Sequence, residues 1–159
     1  MSSADTTLGA TWPQRIARWA LGAFLLFAGT AHLTISRAEF RAQVPSWLPL
    51  DPDLVVVSSG VVELGLGLAL VALARWRVQV GWVVALFFVA VFPGNIAQFT
   101  EGRDGFGLDS DAARGIRLLF QPLLVIWALW CTGAWRAWRH HAARRGGHRV
   151  PPRTPRRAV

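Results

Sequence analysis

The sequence predicts an all-α membrane protein: a four-helix transmembrane bundle with up-down-up-down topology and a short outer interfacial helix between the first two spans. Four apolar runs carry this prediction, at about residues 17–35, 54–74, 78–99 and 115–135. A helix of ~20 residues crosses the ~30 Å hydrocarbon core of a bilayer. The chain is also 53% apolar, too hydrophobic for an ordinary soluble domain. The segments between the runs are charged or rich in proline and glycine, as expected for connections at the membrane surface.

The arginine distribution predicts the orientation of the bundle. The net charge is +8 and all seventeen basic residues are arginine. Twelve arginines lie in the N-terminal segment, the 75–77 turn and the C-terminal tail, whereas the two outer loops hold five, together with seven acids. The positive-inside rule then places both termini in the cytoplasm. A basic tail after a span indicates topology or contact with anionic lipid, so we expect the lipid bilayer and no nucleic acid as a partner.

Neither end of the chain has the apolar residues that a packed core needs. Residues 1–14 predict a flexible cytoplasmic N-terminus, and the arginine-rich residues 136–159 predict a disordered cytoplasmic tail. The membrane domain therefore covers residues 15–135. A cleaved signal peptide is the alternative for the first span, because Gly29, Thr30 and Ala31 resemble a cleavage site. We rank it second, since three further spans follow.

The connection between the first two spans contains two helix-start signals with a proline-rich segment between them. Ser36 and Glu39 have the spacing of a capping box, which predicts a short helix along the outer surface. The prolines and tryptophan that follow predict a collar over the outer end of the bundle, formed by Pro45, Trp47 and Pro49. The segment 51–53, Asp-Pro-Asp, predicts the start of the second span.

Glu63 is the only ionisable residue of the second span and needs a proton or a partner inside the protein. It shares one helical face with Gly60 and Gly67, and small residues on that face allow another helix to approach closely. The first span carries a similar stripe that ends in His32. These patterns predict that Glu63 faces the bundle interior.

The third and fourth spans add polar side chains at a similar depth. Asn95 follows Pro93, where a bend is expected; it either satisfies the backbone or projects into the bundle, and both alternatives remain open. Gln121 precedes Pro122, where a second bend is expected, and shares a stripe with Arg114 and Arg117. Every span thus offers a polar side chain in its outer half. We predict one site there, made of His32, Glu63, Asn95, Arg117 and Gln121, with Arg117 or His32 as the counter-charge of Glu63.

No metal site is predicted. The spacing of Asp104, Asp109 and Asp111 does not match a calcium-binding EF-hand loop, and a role for Ser110 or Asp111 in capping the next helix is favoured. A haem held between two histidines is disfavoured, because His32 is the only histidine within a span. A single cysteine, Cys131, excludes an intramolecular disulfide and is best explained by packing.

These residues together resemble the DoxX family of small bacterial membrane proteins. The matching pieces are Ala28-Gly29 with His32, Val44-Pro45-Ser46-Trp47-Leu48-Pro49, Ser59-Gly60 with Glu63, Phe92-Pro93-Gly94-Asn95, and Arg117 with Gln121-Pro122. The resemblance implies a multi-pass protein of the bacterial inner (plasma) membrane that is associated with redox systems, with a membrane or soluble redox protein as partner. It links the chain to quinone-dependent chemistry without implying a particular reaction, so whether the chain is an enzyme stays open.

Three functions remain as hypotheses. The first is a quinone-contacting or accessory subunit of a membrane redox complex, because a quinone headgroup needs donors such as those of the predicted site. The second is a small proton-linked transporter with Glu63 as protonation site; four spans are few for alternating access unless a homodimer forms. The third is a structural scaffold without ligand, in which the polar residues only connect the helices.

Overall fold

The computed structural model of the protein describes residues 9–105, 107 and 110–146 and is helical throughout its long segments. The helices are α1 (Trp12–Leu33), α2 (Arg37–Arg41), α3 (Pro52–Ala72), α4 (Arg77–Thr100), α5 (Asp111–Cys131) and α6 (Ala134–Gly146), with a 3-10 turn at Ala74–Trp76. Four of them, α1, α3, α4 and α5, are long and apolar enough to cross a membrane. The predicted all-α bundle of four spans with a short helix between the first two is confirmed.

The bundle consists of two closely packed helix pairs, α1 with α3 and α4 with α5, joined mainly through contacts of α1 with α5. Glycine residues on both helices allow α1 and α3 to pack closely against each other. A Cβ atom on Gly29 would lie 2.7 Å from the carbonyl oxygen of Gly60, and a Cβ atom on Gly67 would lie 2.9 Å from that of Gly22. The glycine stripes predicted from the sequence are thus where the two backbones meet.

We call the end of the bundle that holds α2 and the described part of the 101–110 loop the loop end, and the end that holds Trp12, Arg75 and Arg136 the terminal end. At the terminal end, polar side chains of α1 satisfy the last carbonyls of neighbouring helices. Gln14 donates to the carbonyl oxygen of Trp130 at 2.8 Å, and Arg18 donates to that of Leu70 at 2.6 Å. The positive charge of Arg18 also suits the carboxyl end of α3.

The apolar side chains divide into a small interior and a broad exposed surface. Leu21, Leu25, Val84 and Phe88 are almost fully buried, and Cys131 packs in the same core. Large apolar side chains are exposed along the length of every span, among them Phe27, Leu68, Leu86 and Leu119. Because such a surface is unfavourable in water and favourable in hydrocarbon, the chain is a multi-pass membrane protein.

The connections agree with the sequence at two helix starts and differ at one. Asp51 accepts hydrogen bonds from the amides of Asp53 and Leu54, both at 2.9 Å, and Ser110 accepts one from Ala113. The capping box predicted at residues 36–39 does not form, because the Ser36 side chain makes no cap hydrogen bond to α2.

Two further differences concern the terminal segments. The spans α4 and α5 contain Pro93 and Pro122 within continuous helices, and the bends expected there stay predictions. Residues 136–146, predicted to be disordered, belong to helix α6, which begins after Gly133 reverses the chain at φ +75°. Residues 12–14, predicted to belong to the flexible N-terminus, form the first turn of α1. The predictions for residues 1–8 and 147–159 lie outside the described residues.

We predict that Gly67→Ala destabilises the bundle by roughly 1–3 kcal/mol, because its methyl group forces α1 away from α3. Thermal unfolding of the purified protein in detergent measures this change. Gly65→Ala is the matched control, since a Cβ atom there meets no atom within 4 Å. Equal midpoints for the two variants would contradict the glycine-contact explanation.

Candidate functional site

A cavity of about 460 Å³ lies near the loop end, between α1, α3, α4 and α5 and against α2. All five predicted site residues line it: His32, Glu63, Asn95, Arg117 and Gln121. Each spanning helix therefore contributes at least one polar side chain, in a wall otherwise formed mainly by aliphatic and phenylalanine side chains. We call this space the site cavity.

The first polar group of the site cavity is the pair of His32 and Glu63. The Nδ1 atom of His32 lies 3.0 Å from the Oε2 atom of Glu63 and 2.9 Å from the carbonyl oxygen of Ala28. Both side chains are about nine-tenths buried. Of the two counter-charges that the sequence left open for Glu63, the structure brings His32 into direct contact.

The second polar group is a chain of hydrogen bonds across α4 and α5. The Nε atom of Arg117 donates to Asn95 Oδ1 at 3.3 Å, Asn95 Nδ2 donates to Gln121 Oε1 at 3.0 Å, and Gln121 Nε2 donates to the carbonyl oxygen of Phe88 at 2.5 Å. Asn95 thus projects into the bundle, which decides between its two predicted roles. The direction of donation fixes how both amides are oriented.

Helix α2 covers part of the site cavity. Phe40 stacks on the imidazole of His32 with ring centroids 3.3 Å apart and an angle of 17° between the ring planes. The segment after α2 docks on α4 where Gly94 leaves room: a Cβ atom there would lie 2.6 Å from the carbonyl oxygen of Gln43. Gln43 also lines the cavity.

The segment of the predicted collar follows α2. None of Pro45, Trp47 and Pro49 is among the described residues that line the cavity, and the Trp47 side chain is 67% exposed. Arg103 fastens this segment at the loop end by donating to the carbonyl oxygen of Val44 at 2.7 Å. Helix α2 therefore borders the cavity, whereas a collar over the outer end of the bundle stays a prediction.

One side of the site cavity reaches the lipid-facing surface. Phe27 and Ile35 both line the cavity, yet their side chains are 71% and 84% exposed. A residue can do both only at an edge where the cavity meets the outside of the bundle. A hydrophobic molecule dissolved in the membrane could enter there without crossing the polar loop end.

Two polar atoms in the cavity wall lack a hydrogen-bond partner of good geometry among the described residues: Glu63 Oε2 and Gln43 Nε2. The Oε2 atom is close to His32 Nδ1, but a hydrogen on that nitrogen would point towards the Ala28 carbonyl. Buried polar atoms without partners are rare in native proteins. A water molecule or a polar ligand group in the adjoining cavity would supply the missing partners.

Several ion pairs near the loop end were missed by sequence reasoning. Arg114 is buried and pairs with Asp104 and Asp111, both at 2.8 Å. Arg37 and Arg41 of α2 bind Asp53, and this hydrogen bonding raises the pKa of Arg37 above its ordinary value. The separation of three residues between Asp111 and Arg114 on one helix was a signal for their pair, whereas nothing in the spacing pointed to the pair with Asp104. Asp109 lies outside the described residues.

The comparisons with known proteins identify a family and nothing more specific. The model of the family described as "Domain of unknown function (DUF8561)" matches residues 21–132, which include the later part of the first span and all of the other three. No curated protein matches the chain. No solved structure matches it either. The resemblance to the DoxX family stays a prediction.

We predict that Asn95→Ala lowers the free energy of unfolding by about 1–3 kcal/mol, because it leaves Gln121 Oε1 and Arg117 Nε without their hydrogen bonds to Asn95. Thermal or denaturant unfolding in detergent measures the loss. Gln79→Ala removes an exposed amide from the same helix and should leave stability within ~0.5 kcal/mol. Similar losses of stability in both variants would show that the hydrogen-bond chain contributes no more to the free energy of unfolding than an exposed amide does.

Proposed function

We propose that this chain, which belongs to the DUF8561 family, binds the headgroup of a lipid-soluble quinone in its site cavity, as a quinone-contacting or accessory subunit of a membrane redox complex. The observation that carries the proposal is the composition of one cavity wall. Five polar side chains from all four spans meet in a space of about 460 Å³ that also borders the lipid-facing surface. Volumes of this order are typical of small-molecule sites.

The donors of the cavity suit the two carbonyl oxygens of a quinone ring. Asn95 and Gln121 each use one amide N–H within the hydrogen-bond chain, and each NH2 group carries a second hydrogen. The guanidinium of Arg117 donates its Nε–H to Asn95 and so helps to fix that amide in the cavity wall. The second amide hydrogens of Asn95 and Gln121 can hold one carbonyl oxygen without breaking the chain that positions them.

His32 and Glu63 face the cavity from the opposite helix pair. Their contact at 3.0 Å places a proton acceptor and a proton donor side by side in a buried position. Such a pair can hold a proton next to a bound headgroup and exchange it when the charge of that headgroup changes. The electrons for any redox reaction would come from a partner redox protein, so the contribution of this chain is binding and proton exchange.

The apolar wall suits the tail of the same ligand. Phe24, Phe27 and Ile35 line the cavity where it borders the outside of α1. An isoprenoid tail can lie along these side chains and continue into the bilayer. The resemblance to DoxX proteins supports the same class of ligand, and the arginine distribution supports placement in a bacterial inner membrane with both termini cytoplasmic.

A structural scaffold is the second candidate, and one observation favours it. Arg117, Asn95, Gln121 and the Phe88 carbonyl satisfy one another without any ligand. A network of this kind can serve only to connect α4 with α5. Glu63 Oε2 is the feature that this alternative leaves unexplained, because it is buried in the cavity wall without a well-aligned donor.

We expect a photoreactive azido-quinone to label residues 24–35, in the last part of α1 and just after it, and the 117–124 part of α5 in the purified protein. Glu63→Gln should weaken binding of the reduced quinol roughly tenfold or more, because a quinol hydroxyl can donate to the Glu63 carboxylate and a hydrogen bond to a charged group contributes ~1.5–3 kcal/mol. Competition by unlabelled quinol, read by peptide mapping, measures the affinity. Gln79→Ala is the control, since its exposed side chain lies outside the cavity.

Two results would favour the scaffold instead. One is labelling spread over the lipid-facing surface and not reduced by unlabelled quinone. The other is a Glu63→Gln and His32→Ala double variant that labels like the wild type although its unfolding temperature has changed. In either case the polar residues would stabilise the bundle without holding a ligand.

A further inference from the structure

Two adjoining cavities occupy the terminal end, on the opposite side of the bundle from the site cavity. The first, about 460 Å³, is lined by apolar side chains of α5 that include Ile126, Leu129 and Trp130. The second, about 310 Å³, is lined by Arg75, Arg77 and His141 among others. Gly133 and Arg136 line both, so the two spaces meet at the guanidinium of Arg136.

Two arginines of this region, Arg75 and Arg136, form no ion pair with an acidic residue in the described part of the chain. Arg136 donates to Gln14 Oε1 at 2.7 Å and to the carbonyl oxygen of Gly9 at 3.4 Å, and both acceptors are neutral. The sequence contains no Asp or Glu between residues 64 and 100 or after residue 111. The charges of Arg75 and Arg136 are therefore not balanced within the described residues.

The turn between α5 and α6 builds the junction of the two cavities. Gly133, at φ +75°, reverses the chain so that α6 packs back against α4 and α5. The Arg136 guanidinium then lies over Gly133, where a Cβ atom would be 3.7 Å from its NH2 nitrogen. Gln14, which caps α5, holds that guanidinium in place. The arginine is thus positioned by the fold and is not simply part of a mobile basic segment.

We propose that these joined cavities bind one anionic phospholipid, with its phosphate between Arg75 and Arg136 and one acyl chain along Leu129 and Trp130. Charge complementarity selects an anion, and the apolar cavity beside the basic one selects an anion with a hydrocarbon chain. Exposed Trp135 and Trp138, whose rings lie 5.4 Å apart, place the same region at the level of lipid headgroups.

The test uses the full chain in a neutral detergent, titrated with dioleoylphosphatidylglycerol or dioleoylphosphatidylcholine and observed by native mass spectrometry. The first phosphatidylglycerol should bind roughly tenfold more tightly than phosphatidylcholine. Arg75→Gln and Arg136→Gln should each weaken phosphatidylglycerol binding about fivefold, the effect of ~1 kcal/mol per basic residue. Arg139→Gln, an exposed arginine of α6 that lines neither cavity, should change it little.

A second arm separates the headgroup from the acyl chain. Leu129→Trp reduces the apolar cavity and should weaken both lipids, whereas millimolar glycerol 3-phosphate should displace neither. Equal affinity for the two lipids, or an equal loss in Arg139→Gln, would overturn the proposal, because either result indicates nonspecific adhesion. Displacement by glycerol 3-phosphate would overturn it in favour of a soluble anion. Arg75 is exposed, so its variant tests the charge without disturbing the packing.

Discussion

The contact between α1 and α3 is the constraint on which the site depends. Glycines bring the two backbones together, and the Cβ atom of His32 lies only 2.8 Å from where a Cβ atom on Gly60 would be. Side chains on a helix tilt towards its N-terminus, so in this antiparallel pair His32 and Glu63 lean towards each other. Larger residues at Gly29 or Gly60 would separate the helices and with them the buried pair, whatever the identity of the two polar residues.

The polar groups of the site cavity are distributed unequally between the two helix pairs. On the α4–α5 side, consecutive hydrogen bonds connect Arg117, Asn95, Gln121 and the Phe88 carbonyl, so the side chains are held in a fixed arrangement. The α1–α3 side holds an ionisable pair with an unsatisfied oxygen. A fixed set of donors opposite a titratable pair is an arrangement that can bind a ligand on one side and exchange a proton on the other. A purely structural role therefore accounts for the hydrogen-bond chain of α4 and α5 but not for the buried His32–Glu63 pair of α1 and α3.

The two ends of the bundle have opposite electrostatic character. Acidic residues concentrate at the loop end, where Asp53, Asp104 and Asp111 pair with arginines. At the terminal end, Arg18 and Arg136 donate to neutral acceptors. Internal pairing therefore neutralises much of the charge at the loop end, whereas Arg18 and Arg136 form no such pair within the described residues. This asymmetry is expected for a bundle whose ends face different surfaces of a membrane.

The sequence by itself determined the number of spans, their order and the depth of each polar residue. In a membrane, the length of the apolar run fixes where a helix enters and leaves, so residues on different helices can be aligned by depth before any contact is known. That is why His32, Glu63, Asn95, Arg117 and Gln121 could be grouped in advance. Only the tertiary structure decided that His32 is in direct contact with Glu63, that α2 and not the Pro-Trp-Pro segment borders the cavity, and that Gln14 holds Arg136. Those choices depend on how each helix is rotated and crossed against its neighbours, and packing between distant residues sets both.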